Sequence, residues 1–237
     1  MELNIIIPTF NEKNNIGLLL EKIFKLSNNI KIIIVDDSPD QDIKEIIRQY
    51  KNVHYIHRDK KSGRGSAVIV GMNYALKNFS CRYLIEMDAD LSHEPNEIIS
   101  NLNYFLNEDI DLLISSRYLM KSKIINWPLQ RKLLSFFANN LAKNILKVPI
   151  TDYTNGFRIY SNKAAKHVTT NCGKVGDGFI ILSEILVQLY YNNFNVKEIE
   201  STFVNRTRGE SSVTFREIFK SLVGLYKIYK LKNKLKR

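Results

Sequence analysis

Short apolar runs alternate with segments of helical spacing along the first half of the chain. The runs at 3–7 and 31–35 are rich in Ile and Val, which is typical of strands buried on both faces, and 11–24 between them is spaced as a helix. The same alternation continues to residue 115. The predicted strands are 3–7, 31–35, 53–57, 83–87 and 112–115, and the predicted helices are 11–24, 42–50, 66–76 and 97–106. This order predicts an α/β fold with a mostly parallel central sheet sandwiched by helices.

The second half of the chain follows a different pattern, because the strict alternation fades after residue 117. A long amphipathic helix is predicted at 127–148 and a further helix at 178–191. A strand at 196–204 then leads into a polar loop at 205–212. No repeat, linker or low-complexity segment interrupts the chain. We expect one domain at 1–212, followed by a basic amphipathic C-terminal helix or tail at 213–237.

The composition fits a globular protein, with 237 residues of which 44% are hydrophobic and 25% are charged. The two cysteines, Cys81 and Cys172, lie far apart without C-x-x-C spacing, so neither a zinc site nor a disulfide framework is indicated. No run of 18 uncharged apolar residues occurs, and the first strand follows Met1 too closely for a signal sequence. We therefore expect no transmembrane span and a reducing compartment.

The net charge of +11 is concentrated at the C-terminal end, where residues 216–237 contain eight Lys or Arg and one Glu. Apolar residues recur there at helical spacing: Phe215, Ile218, Phe219, Leu222, Tyr226 and Tyr229. A basic helix with an apolar stripe favours a membrane surface or a membrane-bound partner. Core packing of 215–226, with only the lysine-rich end in solvent, is the alternative. The helix at 127–148 has the same two alternatives, a bilayer face or the core.

Polar residues follow four of the predicted strands, at 9–12, 36–38, 88–90 and 116–117. In a parallel sheet these ends meet at one edge, where ligands bind. Asp88 and Asp90 are one residue apart, so on an extended segment they could converge on a Mg²⁺ ion that also binds phosphate oxygens. A solvated turn after the strand is the ordinary alternative.

Other nucleotide-binding classes fit less well. Gly63-Arg64-Gly65 lacks the third glycine of a dinucleotide fingerprint, since Val68 occupies that place, and the lysine of a phosphate-binding P-loop is missing. A non-enzymatic basic protein on a membrane surface or on nucleic acid remains an alternative. Carboxylates at the strand ends would repel nucleic-acid phosphates unless a cation intervenes, so we expect no nucleic-acid partner.

Eight short motifs occur in register along nearly the whole chain. They are Ile-Ile-Ile-Pro-Thr-Phe-Asn-Glu at 5–12, Val-Asp-Asp at 35–37 with Ser-Pro-Asp at 38–40, Gly-Ser-Ala-Val at 65–68, Met-Asp-Ala-Asp-Leu at 87–91, Ser-Arg-Tyr at 116–118, Asn-Trp-Pro at 126–128 with Arg131-Lys132, Gly-Phe-Arg at 156–158 and Arg-Gly-Glu-Ser at 208–211. With them the chain resembles family 2 glycosyltransferases of the GT-A fold, and within these the dolichol-phosphate mannosyltransferase group.

The resemblance implies an inverting, metal-dependent transfer of a sugar, most commonly mannose from GDP-mannose, to a polyprenyl (dolichyl) phosphate. It implies Mg²⁺ or Mn²⁺ at Asp88 and Asp90. It also implies peripheral attachment to the cytoplasmic face of a membrane, through the C-terminal basic helix, directly or through a small integral membrane subunit. UDP-glucose or UDP-N-acetylhexosamine donors and a saccharide acceptor are alternatives on the same fold.

The resemblance also assigns residues to the two substrates. The residues expected to bind the nucleotide sugar are Pro8, Phe10, Glu12, Val35, Asp37, Ala89 and Arg208, with Arg206 as a nearby second cation. Asp37 would accept hydrogen bonds from the base, although a turn that caps the next helix is the alternative for Asp36 or Asp37. Arg117 and Arg131 are expected to hold the acceptor phosphate, because guanidinium groups bind phosphates through paired, permanently charged donors.

A phosphate acceptor is already anionic near neutral pH, so it needs no general base, and the four isolated histidines need no catalytic role. A hydroxyl acceptor would need a base, and Asp152 would be the candidate. The chain departs from the family pattern at three sites that bear on the chemistry: Arg64 stands where an apolar residue is common, Ser92 where relatives often have Gln, and Ser212 where many have Lys.

Overall fold

The structure, a computed structural model, describes residues 3–27, 29–176, 178, 180–205 and 215–236. Its strands are β1 Leu3–Thr9, β2 Ile30–Asp36, β3 Val53–His57, β4 Tyr83–Glu86, β5 Leu112–Ser116, β6 Lys123–Ile125, β7 Arg158–Ser161, β8 Val196–Glu200 and β9 Thr202–Val204. Its helices are α1 Lys13–Phe24, α2 Asp42–Ile47, α3 Arg64–Asn78, α4 Glu97–Asn107, α5 Leu129–Leu146, α6 Asn162–Asn171, α7 Ile180–Tyr191 and α8 Phe215–Leu235.

The central sheet has seven strands in the order β3-β2-β1-β4-β7-β5-β8. All neighbours are parallel except those of β7, which is antiparallel to β4 on one side and to β5 on the other. The carboxyl ends of β1, β2, β4 and β5 therefore lie at one edge, as the sequence predicted. Because β7 runs the opposite way, its amino end begins at that same edge.

Helices cover both faces of the sheet, so the predicted sandwich is confirmed. One apolar cluster joins a face of the sheet to α3, α5, α6, α7 and α8, and the other joins the opposite face to α1, α2 and α4. Ile5, Ile6 and Ile7 of β1 are fully buried, alternately against the two clusters. Because the sheet is buried on both faces, the sequences of its strands are continuous apolar runs.

The second half of the chain differs most from the sequence prediction, which contained neither β6, β7 nor α6. Strand β7 has only four residues and begins with an arginine, and it is a strand because β4 and β5 pair with it on both sides. The segment predicted as one strand at 196–204 divides at Ser201, so that β8 joins the main sheet and β9 pairs with β6. Glu97 holds this bend by accepting hydrogen bonds from Ser201 Oγ at 2.6 Å and Thr202 N at 2.8 Å.

Helices α5 and α8 lie next to each other and expose apolar side chains. Only Asn139, Ala142 and Leu146 of α5 are buried, whereas Leu129 is 70% and Phe137 65% exposed. On α8, Leu225 and Ile228 belong to the core, and Lys232 Nζ donates to the carbonyl of Ile145 on α5 at 2.8 Å. Among the described helices, none combines the length and apolar character that crossing a membrane requires.

Candidate active site

The acidic pair lies where β4 ends. Leu91, with a φ of +62°, turns the chain after Asp90, and Asp90 Oδ1 accepts a hydrogen bond from the backbone N–H of Ser92 at 3.1 Å. The Asp88 side chain is 22% exposed and the Asp90 side chain is half-buried, so both carboxylates lie at the surface of the sheet edge and not in the core. The sequence prediction of an acidic strand end is confirmed.

Arg64, the first residue of α3, lies directly against this pair. Its Nε and Nη2 are 2.7 and 2.6 Å from Asp88 Oδ1, and its Nη1 is 2.5 Å from Glu86 Oε1. Burial by itself would raise the pKa of Asp88, but the positive charge of Arg64 outweighs it, with a smaller contribution from Arg117, so the net pKa is lowered. Asp88 is therefore a carboxylate held in its ionised form.

His93 positions Asp88 through the backbone. Its Nδ1 is 3.2 Å from the N–H of Asp88, and its Nε2 is 3.0 Å from the amide oxygen of Asn155. This pattern requires Nδ1 to accept and Nε2–H to donate. The ring stacks on Phe157 and meets the edge of Phe203. His93 is thus buried, and both of its ring nitrogens are hydrogen-bonded within the protein.

The two acids at the end of β2, Asp36 and Asp37, both accept hydrogen bonds from other residues of the protein. Asp36 accepts hydrogen bonds from Thr9, Ser38 and the Tyr55 hydroxyl. Asp37 forms a bidentate ion pair with Arg58, with N–O distances of 2.5 and 2.6 Å. Neither acid caps α2, which begins after Gln41 without a side-chain cap, so the capping alternative is wrong.

Asp37 also accepts from the backbone N–H groups of Ser62 and Gly63, immediately before α3. The carboxylate therefore fixes the loop that presents Arg64. Direct recognition of the base by Asp37 stays a prediction, and any base N–H would have to share oxygens that already accept four protein donors.

The other predicted nucleotide-binding residues surround the ends of β1 and β4. Pro8 and Val35 are paired in the sheet, and Ala89 is buried. At this edge these residues therefore offer backbone groups, and not side chains, to a ligand. Phe10 is 38% exposed, with Lys61 Nζ 3.5 Å above its ring. The carboxylate of Glu12 accepts from Asn15 Nδ2 at 2.6 Å. Arg206 and Arg208 lie outside the described residues.

Arg117, predicted to hold an acceptor phosphate, forms a buried ion pair. Its Nε and Nη2 are each 2.8 Å from an oxygen of Asp152, and Nη2 also donates to Thr154 Oγ1 at 2.7 Å. Among the described residues Nη1 makes no hydrogen bond, so one of the three guanidinium nitrogens keeps donors for a ligand. Burial lowers the pKa of Arg117, but the charge of Asp152 outweighs this and the net pKa is raised.

Arg131 shares an aromatic platform with Arg117. The guanidinium carbons lie 4.3 Å (Arg131) and 5.4 Å (Arg117) from the ring centroid of Trp127, and Arg131 Nη1 donates to Asn205 Oδ1 at 2.9 Å. Trp127 packs against Phe203, the residue that also contacts His93. Trp127, Phe203 and His93 thus form a continuous series of contacts from the two arginines to the backbone of Asp88.

The residues of this edge suit a hard divalent cation. Within the described part of the chain no group of three or more His, Cys, Asp or Glu converges as an all-protein metal site. Mg²⁺ and Mn²⁺ bound to nucleotides commonly use one or two carboxylates, and phosphate oxygens and water complete the coordination. The backbone N–H of Ser92 donates to Asp90, and the Ser92 hydroxyl is buried without a hydrogen-bond partner among the described residues, so an unsatisfied oxygen lies within two residues of the acidic pair.

Several site residues were not assigned by the sequence. The sequence alone indicates no role for Arg58, Glu86 or Asn155, and it marks Arg64 only by its place between two glycines and as a departure from the family pattern. Glu86 did carry a signal, because a carboxylate within an apolar strand needs a partner when it is buried. The partner could not be identified, since Arg64 precedes it by 22 residues in another element.

Known proteins share this chain's sequence and fold. A sequence model described as "Glycosyl transferase family 2" matches residues 4–169. The polyprenol monophosphomannose synthase of Mycolicibacterium smegmatis is 33% identical over 215 residues, which cover 89% of this chain and 80% of that protein. The dolichol-phosphate mannosyltransferase of Pyrococcus furiosus is 36% identical over 245 residues, which cover 100% of this chain and 66% of that protein.

Among solved structures, glucosyl-3-phosphoglycerate synthase from Mycobacterium tuberculosis in complex with Mn²⁺, UDP and phosphoglyceric acid has a TM-score of 0.67. The two are 15% identical, and the match covers 96% of this chain and 78% of that one. At this identity the likeness concerns the fold alone, which is the GT-A fold. Together with the acidic pair at the end of β4, these matches show that the chain is a glycosyltransferase of family 2.

Proposed function

We propose that the protein transfers mannose from GDP-mannose to a polyprenyl phosphate, with inversion at the anomeric carbon. The observation that supports this best is the meeting of two arginines, Arg117 and Arg131, with the acidic pair at one sheet edge. The relatives from Mycolicibacterium smegmatis and Pyrococcus furiosus carry the names of mannosyltransferases that act on polyprenol or dolichol phosphate.

The acids are proposed to work with Mg²⁺ or Mn²⁺ held by Asp88 and Asp90. Bound there, the ion would neutralise the charge that grows on the departing nucleoside diphosphate. The chain's own contribution is to hold the carboxylates ionised and in place, through Arg64 on the side chain of Asp88 and His93 on its backbone. Phe10, Glu12 and Asp37 are proposed to surround the nucleoside, and Arg208 to contact the diphosphate.

The acceptor phosphate is proposed to bind at Arg117 Nη1 and Arg131. Its oxygen is anionic near neutral pH, so the site has to position the attacking atom and does not have to remove a proton. The candidate base for a hydroxyl acceptor, Asp152, is fully buried and accepts from Arg117, Thr154 and Asn155. Burial opposes its ionisation, but the charge of Arg117 outweighs it and lowers the pKa of Asp152, which makes it a weak base. This favours the phosphate over a saccharide acceptor.

The neighbouring helices supply a surface for the lipid part of the acceptor. We propose that α5 and α8 lie on the cytoplasmic face of a membrane, with Leu129, Phe137 and the exposed Tyr226 toward the acyl chains and the lysines of α8 toward anionic headgroups. A small integral membrane subunit is the alternative partner for α8. Arg131 lies on the same helix as Phe137, so binding at this surface would bring the phosphate of a membrane-embedded lipid to the site.

A panel of radiolabelled nucleotide sugars tests the proposal. Each donor is incubated with a polyprenyl phosphate, with Mn²⁺ or with EDTA, and label is counted in the organic phase. GDP-mannose is expected to give metal-dependent label. Label from UDP-glucose or UDP-N-acetylhexosamine instead would refute the assigned donor, and label that appears only with a saccharide acceptor would refute the assigned acceptor. Asp90→Asn, which keeps the size of the side chain, is the inactive control.

A further inference from the structure

Arg64, which holds Asp88 ionised, makes short contacts with two carboxylates of the acidic site. Three of its N–O distances to Glu86 and Asp88 are between 2.5 and 2.7 Å. Burial lowers the pKa of the guanidinium, but the charges of Asp88 and Glu86 outweigh it and the net pKa is raised. The group is thus a permanent cation placed on one member of the acidic pair.

The protein is shaped to hold the guanidinium there. Glu86 is fully buried, and its second oxygen accepts from the Tyr160 hydroxyl at 2.6 Å, so Glu86 cannot turn away from Arg64 without losing both partners. On the other side lies Gly156, where a Cβ would come within 1.9 Å of Arg64 Nη2. A side chain at position 156 would therefore force the guanidinium to shift from its present position. Arg64 is therefore a fixed part of the site and not a mobile surface residue.

This placement has a consequence for the affinity of the site for metal. Asp88 Oδ1 already accepts two N–H groups of Arg64, and a divalent cation that uses Asp88 has to compete with them or share the carboxylate with a nearby positive charge. We propose that Arg64 is a positioning residue. It occupies Asp88 Oδ1 with two N–H groups and thereby weakens the binding of Mg²⁺ or Mn²⁺ by this carboxylate. The inference rests on the proposed function for the presence of a divalent ion at this edge.

The test measures the binding of Mn²⁺ itself. Free Mn²⁺ is followed by electron paramagnetic resonance while it is titrated against the full chain, alone and with GDP. The key variant combines Arg64→Leu with Glu86→Gln, because the pair of changes leaves the net charge unchanged and avoids a lone buried carboxylate. We expect it to bind Mn²⁺ on the order of ten-fold more tightly than the wild type, because the change removes a positive charge beside the ion and frees Asp88 Oδ1 from two competing N–H groups. Thermal unfolding checks that the variant is folded.

Three further variants separate this role from a purely structural one. Glu86→Gln alone keeps Arg64 on Asp88 and is expected to bind Mn²⁺ as the wild type does. Arg64→Lys keeps the positive charge beside Asp88, so its Mn²⁺ affinity is expected to stay close to that of the wild type and well below that of the Arg64→Leu/Glu86→Gln variant. Asp88→Asn is expected to weaken Mn²⁺ binding in the wild type, and to weaken it more strongly in the Arg64→Leu/Glu86→Gln background, where it abolishes the gain.

Two results would overturn the inference, and they are distinguishable. If the wild type binds Mn²⁺ and the folded Arg64→Leu/Glu86→Gln variant binds it no more tightly, Arg64 does not compete for Asp88, and the proposed metal site stands. If neither protein binds Mn²⁺, with or without GDP, the metal of the proposed function is refuted together with this inference.

Discussion

Replacing Asp152 by Asn should show how much the buried ion pair between Arg117 and Asp152 contributes to the stability of the fold. Asp152 is fully buried and Arg117 nearly so, with two side-chain hydrogen bonds of 2.8 Å and a third from the backbone N–H of Arg117 at 3.0 Å. Asn keeps the size but removes the charge and points an N–H₂ group at Arg117. Removing one member of a buried ion pair costs about 3–5 kcal/mol, because the other is left charged without a counter-ion.

The change in free energy of unfolding is measured by urea titration at pH 7, with circular dichroism as the readout. Asp42→Asn is the matched control, because Asp42 pairs with Lys13 at a similar distance of 2.7 Å but both side chains are about half exposed. Exposed pairs contribute little to stability, so this control should unfold close to the wild type. Equal losses in Asp152→Asn and Asp42→Asn would refute the buried ion pair.

The same variant carries a prediction for pH. Because the folded pKa of Asp152 is lowered, its ion pair stabilises the fold fully above the pKa of an unfolded Asp, about 3.9. That contribution is lost as the pH falls through the lower folded value. Asp152→Asn should therefore lose less stability than the wild type between neutral and strongly acidic pH. An identical loss in both proteins would contradict the assignment.

Three further predictions concern acceptor, membrane and core. Arg131→Ala should raise the KM for polyprenyl phosphate while leaving hydrolysis of the donor sugar nearly unchanged, measured as label in the organic and aqueous phases; equal losses in both would refute its assigned role. Phe137→Asp, on the exposed face of α5, should reduce co-sedimentation with anionic lipid vesicles without changing thermal stability, and undiminished binding would exclude this face. Arg158→Met should lower the free energy of unfolding, measured by urea titration, by about 3 kcal/mol. The reason is that three buried carbonyl oxygens, now 2.8–3.1 Å from the guanidinium nitrogens, would lose their donor. A smaller loss of stability than in Phe137→Asp would contradict this account.

Much of the fold was predictable, because the β-α-β pattern of the first 117 residues is a property of local sequence. The strands were recognisable since burial on both faces demands continuous apolar runs, and their order along the chain implies parallel pairing. The antiparallel strand β7 was not predictable in this way. Its four residues contain an arginine and a serine, and only the neighbours β4 and β5 give it the conformation of a strand.

The location of the candidate site was predictable, because Asp88, Asp90 and Arg117 come directly after predicted strands and the structure places them at one edge of the sheet. The pairings between these residues and the rest of the protein were not. Arg117 and Asp152 are 35 positions apart, and Arg58 and Asp37 are 21 apart, so their hydrogen bonds depend on how the loops fold back. The sequence showed which groups are charged, whereas the structure shows which of these charges are already matched.

The position of β7 has a consequence for how a nascent chain acquires this fold. Strands β4 and β5 do not touch each other, and each gains a neighbour on its facing edge only when residues 158–161 have left the ribosome. Until then the N-terminal half presents an open, apolar sheet edge of the kind that recruits other chains. Premature termination before β7 should therefore yield aggregates and not a smaller nucleotide-binding unit.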